Sequence, residues 1–226
     1  MSVDYIQLNK EAYDTLAEEY YERLRKHDAY YGTVGNILTK FAMEELRKNR
    51  PQEEYNVLEL GCGPGAILSF LDAYKDVKIY AIDISENMAK YARMSCDRAN
   101  IRSLNALDIE DVTQVFDVKA KFDLILMSAF IHLFPYDDAQ CLLKSINGWL
   151  VPEGYVYIDT TRETSFEDGK LREKIGYKNK VIRLRTEYTL DKFNILIKSS
   201  GYRIIKQQLH KSQSGKLWIR TVAQLE

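Results

Sequence analysis

The chain has 226 residues, of which 46% are hydrophobic and 29% charged, with a formal net charge of −1. These values indicate one globular domain with a sizeable core, and the lack of an apolar run of about 18 residues argues against a membrane span. The three cysteines are widely spaced and the first residues do not resemble a secretory signal, which argues against disulfides or a zinc site and favours a cytoplasmic location.

The first 50 residues predict two helices that form a cap. Apolar side chains recur at spacings of three and four over residues 9–27, which predicts the first helix. We expect Gly32 and Gly35 to interrupt the chain before a second helix that runs to about Arg47. Pro51 then ends the helical region, because proline cannot continue a helix.

Beyond this cap, short apolar runs alternate with helical patterns. The sequence predicts strands at about residues 56–60, 78–82, 101–105, 122–129 and 155–159, and helices at about 65–73, 85–96 and 137–149. Ser85 is the expected N-cap of the second of these helices. This order is typical of βαβ units with a mostly parallel sheet and right-handed crossovers.

The last third of the chain begins with a polar stretch. Residues 160–188 predict an insertion or lid after the fifth strand, since they are mostly polar and contain two glycines. A helix between Thr189 and Gly201 follows. Two final strands, joined through "HKSQSG", are predicted to pair antiparallel.

A glycine-rich turn, "ELGCGPG" at residues 59–65, lies between the first strand and the helix after it. Glycine permits positive φ and close approach of a ligand, and a helix N-terminus favours a carboxylate or a phosphate. The turn can be read as the dinucleotide pattern G-x-G-x-x-A, with Asp83 as the ribose ligand. It can also be read as G-x-G-x-G preceded by the acidic Glu59.

The neighbouring segments favour the second pattern. "AIDISENM", "NALDIED", "FDLILMSAFIHLF" and "WLVPEG" follow at the spacing of the family motifs, with Glu153 in place of a glycine in the last. Together with the turn they resemble class I (Rossmann-like) S-adenosylmethionine-dependent methyltransferases of the small-molecule type. The resemblance implies an α/β fold: a seven-stranded, mostly parallel sheet with an antiparallel last strand and an N-terminal helical cap. We expect one domain over residues 1–226, with the cap at 1–50.

The resemblance also implies a site for S-adenosyl-L-methionine, whose product is S-adenosyl-L-homocysteine. Asp83 would accept hydrogen bonds from the ribose hydroxyls and Asp108 from the adenine amino group, although either could instead cap the next helix. Tyr13 and Tyr20, in "YDTLAEEY", would line the methionine end. The implied cofactor-binding residues are Tyr13, Tyr20, Glu59, Gly61, Cys62, Gly63, Gly65, Asp83, Ile84, Met88, Leu107, Asp108, Ile109 and Ser128. No metal is expected.

Catalysis of methyl transfer depends mainly on positioning the acceptor. In "SAFIHLF", His132 resembles a pocket histidine of the family and is the candidate catalytic base, with a buried structural histidine as the alternative. The acceptor is expected over the carboxyl ends of strands four and five, between the N-terminal helices and residues 160–188. Further candidates for the acceptor pocket are Arg162, Arg183, Arg185 and Tyr188.

The predicted function is methylation of an oxygen or nitrogen of a small molecule, by a monomer or homodimer. The lack of an [ND]-P-P-[YFW] segment after strand four counts against methylation of nucleobase amino groups, but leaves RNA open. Residues 169–226 contain 14 Lys and Arg against 4 Asp and Glu, which fits a solvated surface, an RNA or an anionic metabolite. The same motifs would also suit a regulator that binds the cofactor without catalysis, and the glycine turn alone would suit a nicotinamide-dependent oxidoreductase.

Overall fold

The computed structural model describes residues 4–26, 28–118, 121–212 and 215–226, and the side chains of 28–36 are outside this description. The helices are α1 (Tyr5–Lys26), α2 (Asp28–Asn49), α3 (Ala66–Leu71), α4 (Glu86–Ser95), α5 (Val112–Phe116), α6 (Tyr136–Ser145) and α7 (Leu190–Ser199). The strands are β1 (Tyr55–Leu60), β2 (Val77–Asp83), β3 (Asn100–Ser103), β4 (Phe122–Met127), β5 (Leu150–Thr161), β6 (Glu167–Glu173), β7 (Ile182–Glu187), β8 (Tyr202–Lys211) and β9 (Leu217–Leu225).

Seven strands form the central sheet, in the order β3-β2-β1-β4-β5-β9-β8. Strands β1 to β5 pair in parallel, and β9 is inserted antiparallel between β5 and β8. The predicted Rossmann-like fold, including its antiparallel strand at the end of the chain, is therefore confirmed. Because the first five strands are parallel, the turns after β1, β2 and β4 meet at one edge of the sheet, where ligands of such folds bind.

The core lies on both faces of this sheet. Strand β4 is buried at all six positions, as its continuous apolar run predicts. Ile125 and Met127 pack in one apolar cluster, whereas Leu124 and Leu126 pack in a second cluster on the opposite face. The alternation fixes the register of β4, because a shift by one residue would exchange the two faces.

Side-chain caps begin two of the helices as predicted. The Ser85 hydroxyl accepts the backbone N–H of Met88 at 3.0 Å and begins α4. The Thr189 hydroxyl accepts the backbone N–H of Lys192 at 3.2 Å and begins α7. Each cap satisfies an N–H group that has no acceptor within its own helix.

The expected interruption at Gly32 and Gly35 is wrong, because α2 is continuous across both. Glycine inside a helix costs only about 1 kcal/mol relative to alanine, so neighbouring turns can carry the helix through. The fifth strand, predicted at about 155–159, begins earlier in the structure, because β5 starts at Leu150 and includes Glu153, which has a φ of 58°. A positive φ is easiest for glycine, which is consistent with the glycine that the family motif has at this position.

The polar stretch at 160–188 contains regular structure that its sequence pattern does not indicate. Strands β6 and β7 pair antiparallel and form a separate two-stranded sheet. This two-stranded sheet packs against the rest of the fold, because β7 contacts α1 and the turn after β4. Within the described residues, no helix is long and apolar enough to cross a membrane.

Candidate functional site

A deep cavity opens at the carboxyl edge of the parallel strands. Its wall combines α1, the glycine turn after β1, the loops after β2, β3 and β4, β7, and the segments that follow β6 and precede β9. Of the residues predicted to bind cofactor or to catalyse, the wall includes Tyr13, Tyr20, Glu59, Gly61, Cys62, Gly63, Asp83, Ile84, Met88, Ser128 and His132. Gly65, Leu107, Asp108 and Ile109 are not part of it.

Two glycines of the turn have different surroundings. Gly63 has a φ of +53°, and a Cβ atom built on it would have no heavy atom within 4 Å. Its backbone is thus open to a ligand. Gly65 has a φ of +90°, and a Cβ there would lie 3.1 Å from the Cα of Ala92 in α4. Gly65 therefore lets the turn pack against α4.

The Asp83 carboxylate holds the glycine turn in place from the end of β2. One oxygen accepts the backbone N–H of Gly63 at 2.8 Å, and the other accepts that of Ser85 at 2.9 Å. Burial raises the pKa of Asp83 to about 6, despite the opposing effect of the two N–H donors. A carboxylate can accept about four hydrogen bonds, so both oxygens can still accept from a ligand.

The buried Glu59 lies beside this turn with an unsatisfied carboxyl oxygen. Its Oε2 has no hydrogen-bond partner within the described part of the chain, and the side chain faces the cavity. Burial, followed by the charges of Asp83 and Asp159, raises the pKa of Glu59 well above its usual range. Because an unpaired buried polar atom is costly, a ligand that donates to this oxygen would be stabilised here.

The loop after β3 contributes a neighbouring part of "NALDIED" to the cavity. The wall includes Leu104, Asn105 and Ala106, whereas Asp108 is exposed. The Asn105 side chain accepts the backbone N–H of Leu107 at 3.2 Å, which fixes the bend of this loop. The adenine contact of Asp108 stays a prediction. Asn105 was missed because the resemblance points to acidic side chains here.

His132 is buried in a short 3-10 turn after β4 and lines the cavity. Its Nδ1 lies 3.3 Å from the hydroxyl oxygen of Thr160 in β5. Burial first, and then the charges of nearby Arg185 and Arg183, lower the pKa of His132 well below its usual range. The imidazole is therefore neutral at physiological pH, and one of its two ring nitrogens has a lone pair that can accept a hydrogen bond.

Asp159 holds the loop that carries His132. Its carboxylate accepts the backbone N–H of Ala129 at 2.6 Å and the hydroxyl of Ser128 at 3.1 Å. Ala129 has a φ of 51°, which is uncommon for a residue with a side chain. These hydrogen bonds maintain the sharp turn that aims the loop into the cavity.

Helix α1 is fastened across the cavity by two polar side chains that the sequence analysis did not assign. Asn9 donates to the carbonyl oxygen of Leu133 at 2.9 Å and accepts the backbone N–H of Leu184 in β7 at 2.8 Å. Asp14 accepts the hydroxyl of Ser85 at 2.6 Å. A local signal existed only for Asp14, which is part of the "YDTLAEEY" segment. The contacts of Asn9 join residues more than 120 positions apart.

Two tyrosine rings of this helix, together with the ring of Tyr177, lie around the side chain of Lys174. The Nζ atom of Lys174 lies 5.9 Å from the ring centre of Tyr13, 5.3 Å from that of Tyr20 and 5.5 Å from that of Tyr177. Tyr20 and Tyr177 are stacked, with ring centres 4.8 Å apart. Burial, as the largest effect, raises the pKa of Tyr13 and of Tyr20, so both hydroxyls stay protonated.

Of the four further candidates for the acceptor pocket, two lie at or near the cavity and two do not. Arg185 lines the cavity, and Arg183 is buried close enough for its charge to act on Arg185 and Tyr13. Arg162 is exposed and Tyr188 packs in the apolar core, and neither is part of the cavity wall.

The chain resembles known methyltransferases over its central part. Residues 57–154 match the family model described as "Methyltransferase domain". A malonyl-[acyl-carrier protein] O-methyltransferase of Acetivibrio thermocellus is 34% identical over 154 residues, which are 68% of this chain and 52% of that protein. An (S)-coclaurine N-methyltransferase of Papaver somniferum is 26% identical over 142 residues, which are 60% of this chain and 39% of that protein.

A solved structure extends the likeness of the fold to the whole chain. The 1,6-didemethyltoxoflavin-N1-methyltransferase of Burkholderia thailandensis, solved with S-adenosylhomocysteine, superimposes with a TM-score of 0.67 at 18% identity, over 100% of this chain and 91% of that one. The chain spans about half the length of the O-methyltransferase that it matches. From its sheet topology, its glycine turn and these matches, we conclude that the chain contains a domain of the class I (Rossmann-like) S-adenosylmethionine-dependent methyltransferases.

Proposed function

We propose that the protein transfers a methyl group from S-adenosylmethionine to an oxygen or nitrogen of a small molecule. The observation that carries the proposal is the pairing of two carboxylates at the glycine turn. Asp83 holds the turn at Gly63, and the Glu59 oxygen that has no partner among the described residues faces the cavity beside it. Such a site suits a ligand that has hydroxyl donors at one end and an ammonium group at the other.

Individual residues of the cavity wall match individual chemical groups of this cofactor. Asp83 would accept hydrogen bonds from the ribose hydroxyls, and Glu59 would receive the ammonium group of the methionine part. Gly63 leaves room for the cofactor against its backbone. When bound, S-adenosylmethionine supplies a methyl group that is already activated by the positive charge on its sulfur. The task that remains for the chain is to align the acceptor.

His132 is the proposed general base. Its neutral imidazole lines the cavity, and Thr160 hydrogen-bonds the Nδ1 side of the ring, which orients it. A hydroxyl or amine acceptor could lose its proton to this ring as the methyl group is transferred. Oxygen and nitrogen acceptors both fit such a base, and the names of the relatives include an O- and an N-methyltransferase.

The test combines a binding measurement with a turnover measurement. Calorimetry should show that S-adenosylhomocysteine binds the protein, and incubation of labelled S-adenosylmethionine with a metabolite extract should give a product that is heavier by one CH₂ unit. We expect His132→Gln to lower turnover by about 10²-fold or more, the usual contribution of a general base, with unchanged affinity for S-adenosylhomocysteine.

His210→Gln is the matched control, because His210 lies on β8 outside the cavity wall and should keep full turnover. Full turnover in His132→Gln would instead give His132 a structural role through Thr160. Binding without any methylated product would favour the non-catalytic regulator.

A further inference from the structure

Four cationic side chains converge beside His132, and we refer to Lys174, Arg183, Arg185 and Lys216 as the basic cluster. Lys174, Arg185 and Lys216 line the cavity, and Arg183 is buried next to them. Lys174 follows β6, Arg183 and Arg185 lie on β7, and Lys216 directly precedes β9. The first three are close in sequence, and the fold brings Lys216 to them from the other side of α7 and β8.

Members of the basic cluster repel one another. Burial is the largest effect and lowers the pKa of Lys174 well below its usual range, and the charge of Arg183 lowers it further. The pKa of Lys216 is lowered in the same way by burial and by the charges of Arg185 and Arg183. A group of like charges inside a cavity is unfavourable unless opposite charge is bound there.

Arg183 has donors that nothing in the described part of the chain satisfies. The residue is 4% exposed, yet its Nε and Nη1 atoms have no hydrogen-bond partner among the described residues. Two guanidinium nitrogens without a partner among the described residues are costly at this depth in a folded protein. The cost is offset if a bound anion neutralises the cluster, and this second observation points independently to a ligand.

The nearby acidic groups do not balance the basic cluster. Glu163 is the carboxylate beside it, 3.9 Å from Arg185, and its side chain is 40% exposed. It also accepts the hydroxyl of Thr161 at 3.0 Å. Asp83 and Asp159 accept backbone N–H groups of the glycine turn and of the loop after β4. Glu187 also acts on Arg185, but it is paired with Arg172 at 3.2 Å. An excess of positive charge therefore remains in this part of the cavity.

The position of the basic cluster favours a small anion over a nucleic acid. Polymer backbones are held by cations spread along an exposed surface. Here three of the cations, Lys174, Arg185 and Lys216, line the wall of a cavity instead of an exposed stripe. The planar fork of Arg185 matches both carboxylate and phosphoryl oxygens.

From this geometry we propose that the methyl acceptor carries an oxyanion group, a carboxylate or a phosphoryl group, that the basic cluster binds. The inference rests on the proposed function for the methyl transfer itself, but the anion site can be tested without any turnover. His132 would then take the proton from the methyl-accepting atom of the molecule that the cluster holds.

Calorimetric titration of the protein saturated with S-adenosylhomocysteine separates the two proposals. Three probes of similar shape are used: benzoate, phenylphosphonate and the neutral benzamide. We expect at least one anion to bind tenfold or more tightly than benzamide, and the tighter of the two identifies the oxyanion that the cluster prefers. Equal affinity for all three would overturn the anion site. Failure of S-adenosylhomocysteine to bind would overturn the proposed function alone, since the same probes can be titrated without it.

Variants locate the anion at the basic cluster. Arg185→Gln and Lys216→Gln should each weaken binding of the preferred anion by about tenfold, the usual size of a charged hydrogen bond. Lys216 lies at the exposed edge of the cavity wall, so its replacement is compatible with folding, and unchanged affinity for S-adenosylhomocysteine confirms an intact site. Lys198→Gln on the exposed face of α7 is the matched control and should bind the anion as the parent does. Parental affinity in both Arg185→Gln and Lys216→Gln would overturn the proposal.

Discussion

At the scale of single residues, Asp83 combines a structural role with a proposed binding role. Its two oxygens hold Gly63 and Ser85, so the carboxylate shapes the turn before any ligand binds. Burial raises its pKa to about 6, so the charge that would receive the ribose hydroxyls is lost as the pH falls through about 6. The protonated carboxyl accepts fewer hydrogen bonds, and a ligand that donates to it is then bound less tightly.

We therefore predict that affinity for S-adenosylhomocysteine falls between pH 7.5 and pH 5, with a midpoint near pH 6. In Asp83→Asn this dependence should disappear, and the affinity should stay about tenfold below that of the parent at pH 7.5, because an amide supplies one acceptor oxygen instead of two. The measurement is a series of calorimetric titrations across this pH range. Asp97→Asn, at an exposed carboxylate, is the control. The same midpoint in Asp83→Asn would assign the titration to another group.

The sequence predicted the residues of local motifs better than those of long-range contacts. Glu59, Gly63 and Asp83 were predicted from one strand–turn–helix segment and its neighbour, and all three line the cavity. Lys174 and Lys216 were not, because their positions depend on where the β6–β7 hairpin packs and on the insertion of β9 beside β5 in the sheet. No residue spacing in the sequence indicates which distant segments pack together.

At the scale of elements, the glycine turn shows how one segment can serve packing and binding with different residues. Gly65→Ala would place a methyl group 3.1 Å from the backbone of Ala92 at a φ of +90°. Gly63→Ala also meets a positive φ, of +53°, but its methyl group would point into open space. The first change therefore affects the contact between the turn and α4, and the second affects the cavity.

We predict that Gly65→Ala lowers the free energy of unfolding by about 2–3 kcal/mol, since backbone strain and close contact add. Gly63→Ala should cost about 1 kcal/mol of stability but weaken S-adenosylhomocysteine binding by tenfold or more. Urea unfolding and calorimetry measure the two quantities. Gly148→Ala, where a Cβ has open space, is the control. The reverse pattern, with Gly65→Ala affecting binding alone, would contradict this division of roles.

The helices and strands of the sheet follow from the sequence, while the elements over the cavity do not. Apolar runs predicted β1, β2, β4 and β5 because each must bury side chains against the core. The polar segments β6 and β7 carry no such pattern, and they are held instead by contacts such as that of Leu184 with Asn9. Helix α2 also continues across the two glycines at which the sequence predicted a break.

At the scale of the whole molecule, the uneven distribution of charge along the sequence gives the cavity one acidic end and one basic end. The first half of the chain supplies the carboxylates of Glu59 and Asp83 at the proposed cofactor end. The basic last part supplies Lys174, Arg185 and Lys216 at the proposed acceptor end. Helix α1 runs between the two ends, joined to α4 by Asp14 and to β7 by Asn9. Part of the charge that the sequence assigned to the surface is thus used inside the site.

That residues 1–226 form one domain, with a helical cap and a lid at 160–188, stays a prediction. The contacts of α1 bear on it. Helix α1 contacts both the central sheet's helices and the β6–β7 hairpin, so unfolding of one part should remove support from the others. The two tryptophans report on different regions, because Trp149 is buried in the core and Trp218 lines the cavity.

We predict a single unfolding transition in urea, with coincident midpoints for helical circular dichroism and tryptophan fluorescence. S-adenosylhomocysteine at 100 times its Kd should raise the free energy of unfolding by about 2.7 kcal/mol, because it binds only the folded state. In Asp83→Asn the ligand should raise the free energy of unfolding by less at the same ligand concentration, because the variant binds the ligand less tightly. Two separate transitions, with the ligand shifting just one, would mean that the cap or the hairpin folds independently of the sheet. The cavity would then be closed by a separate unit rather than by one cooperative domain.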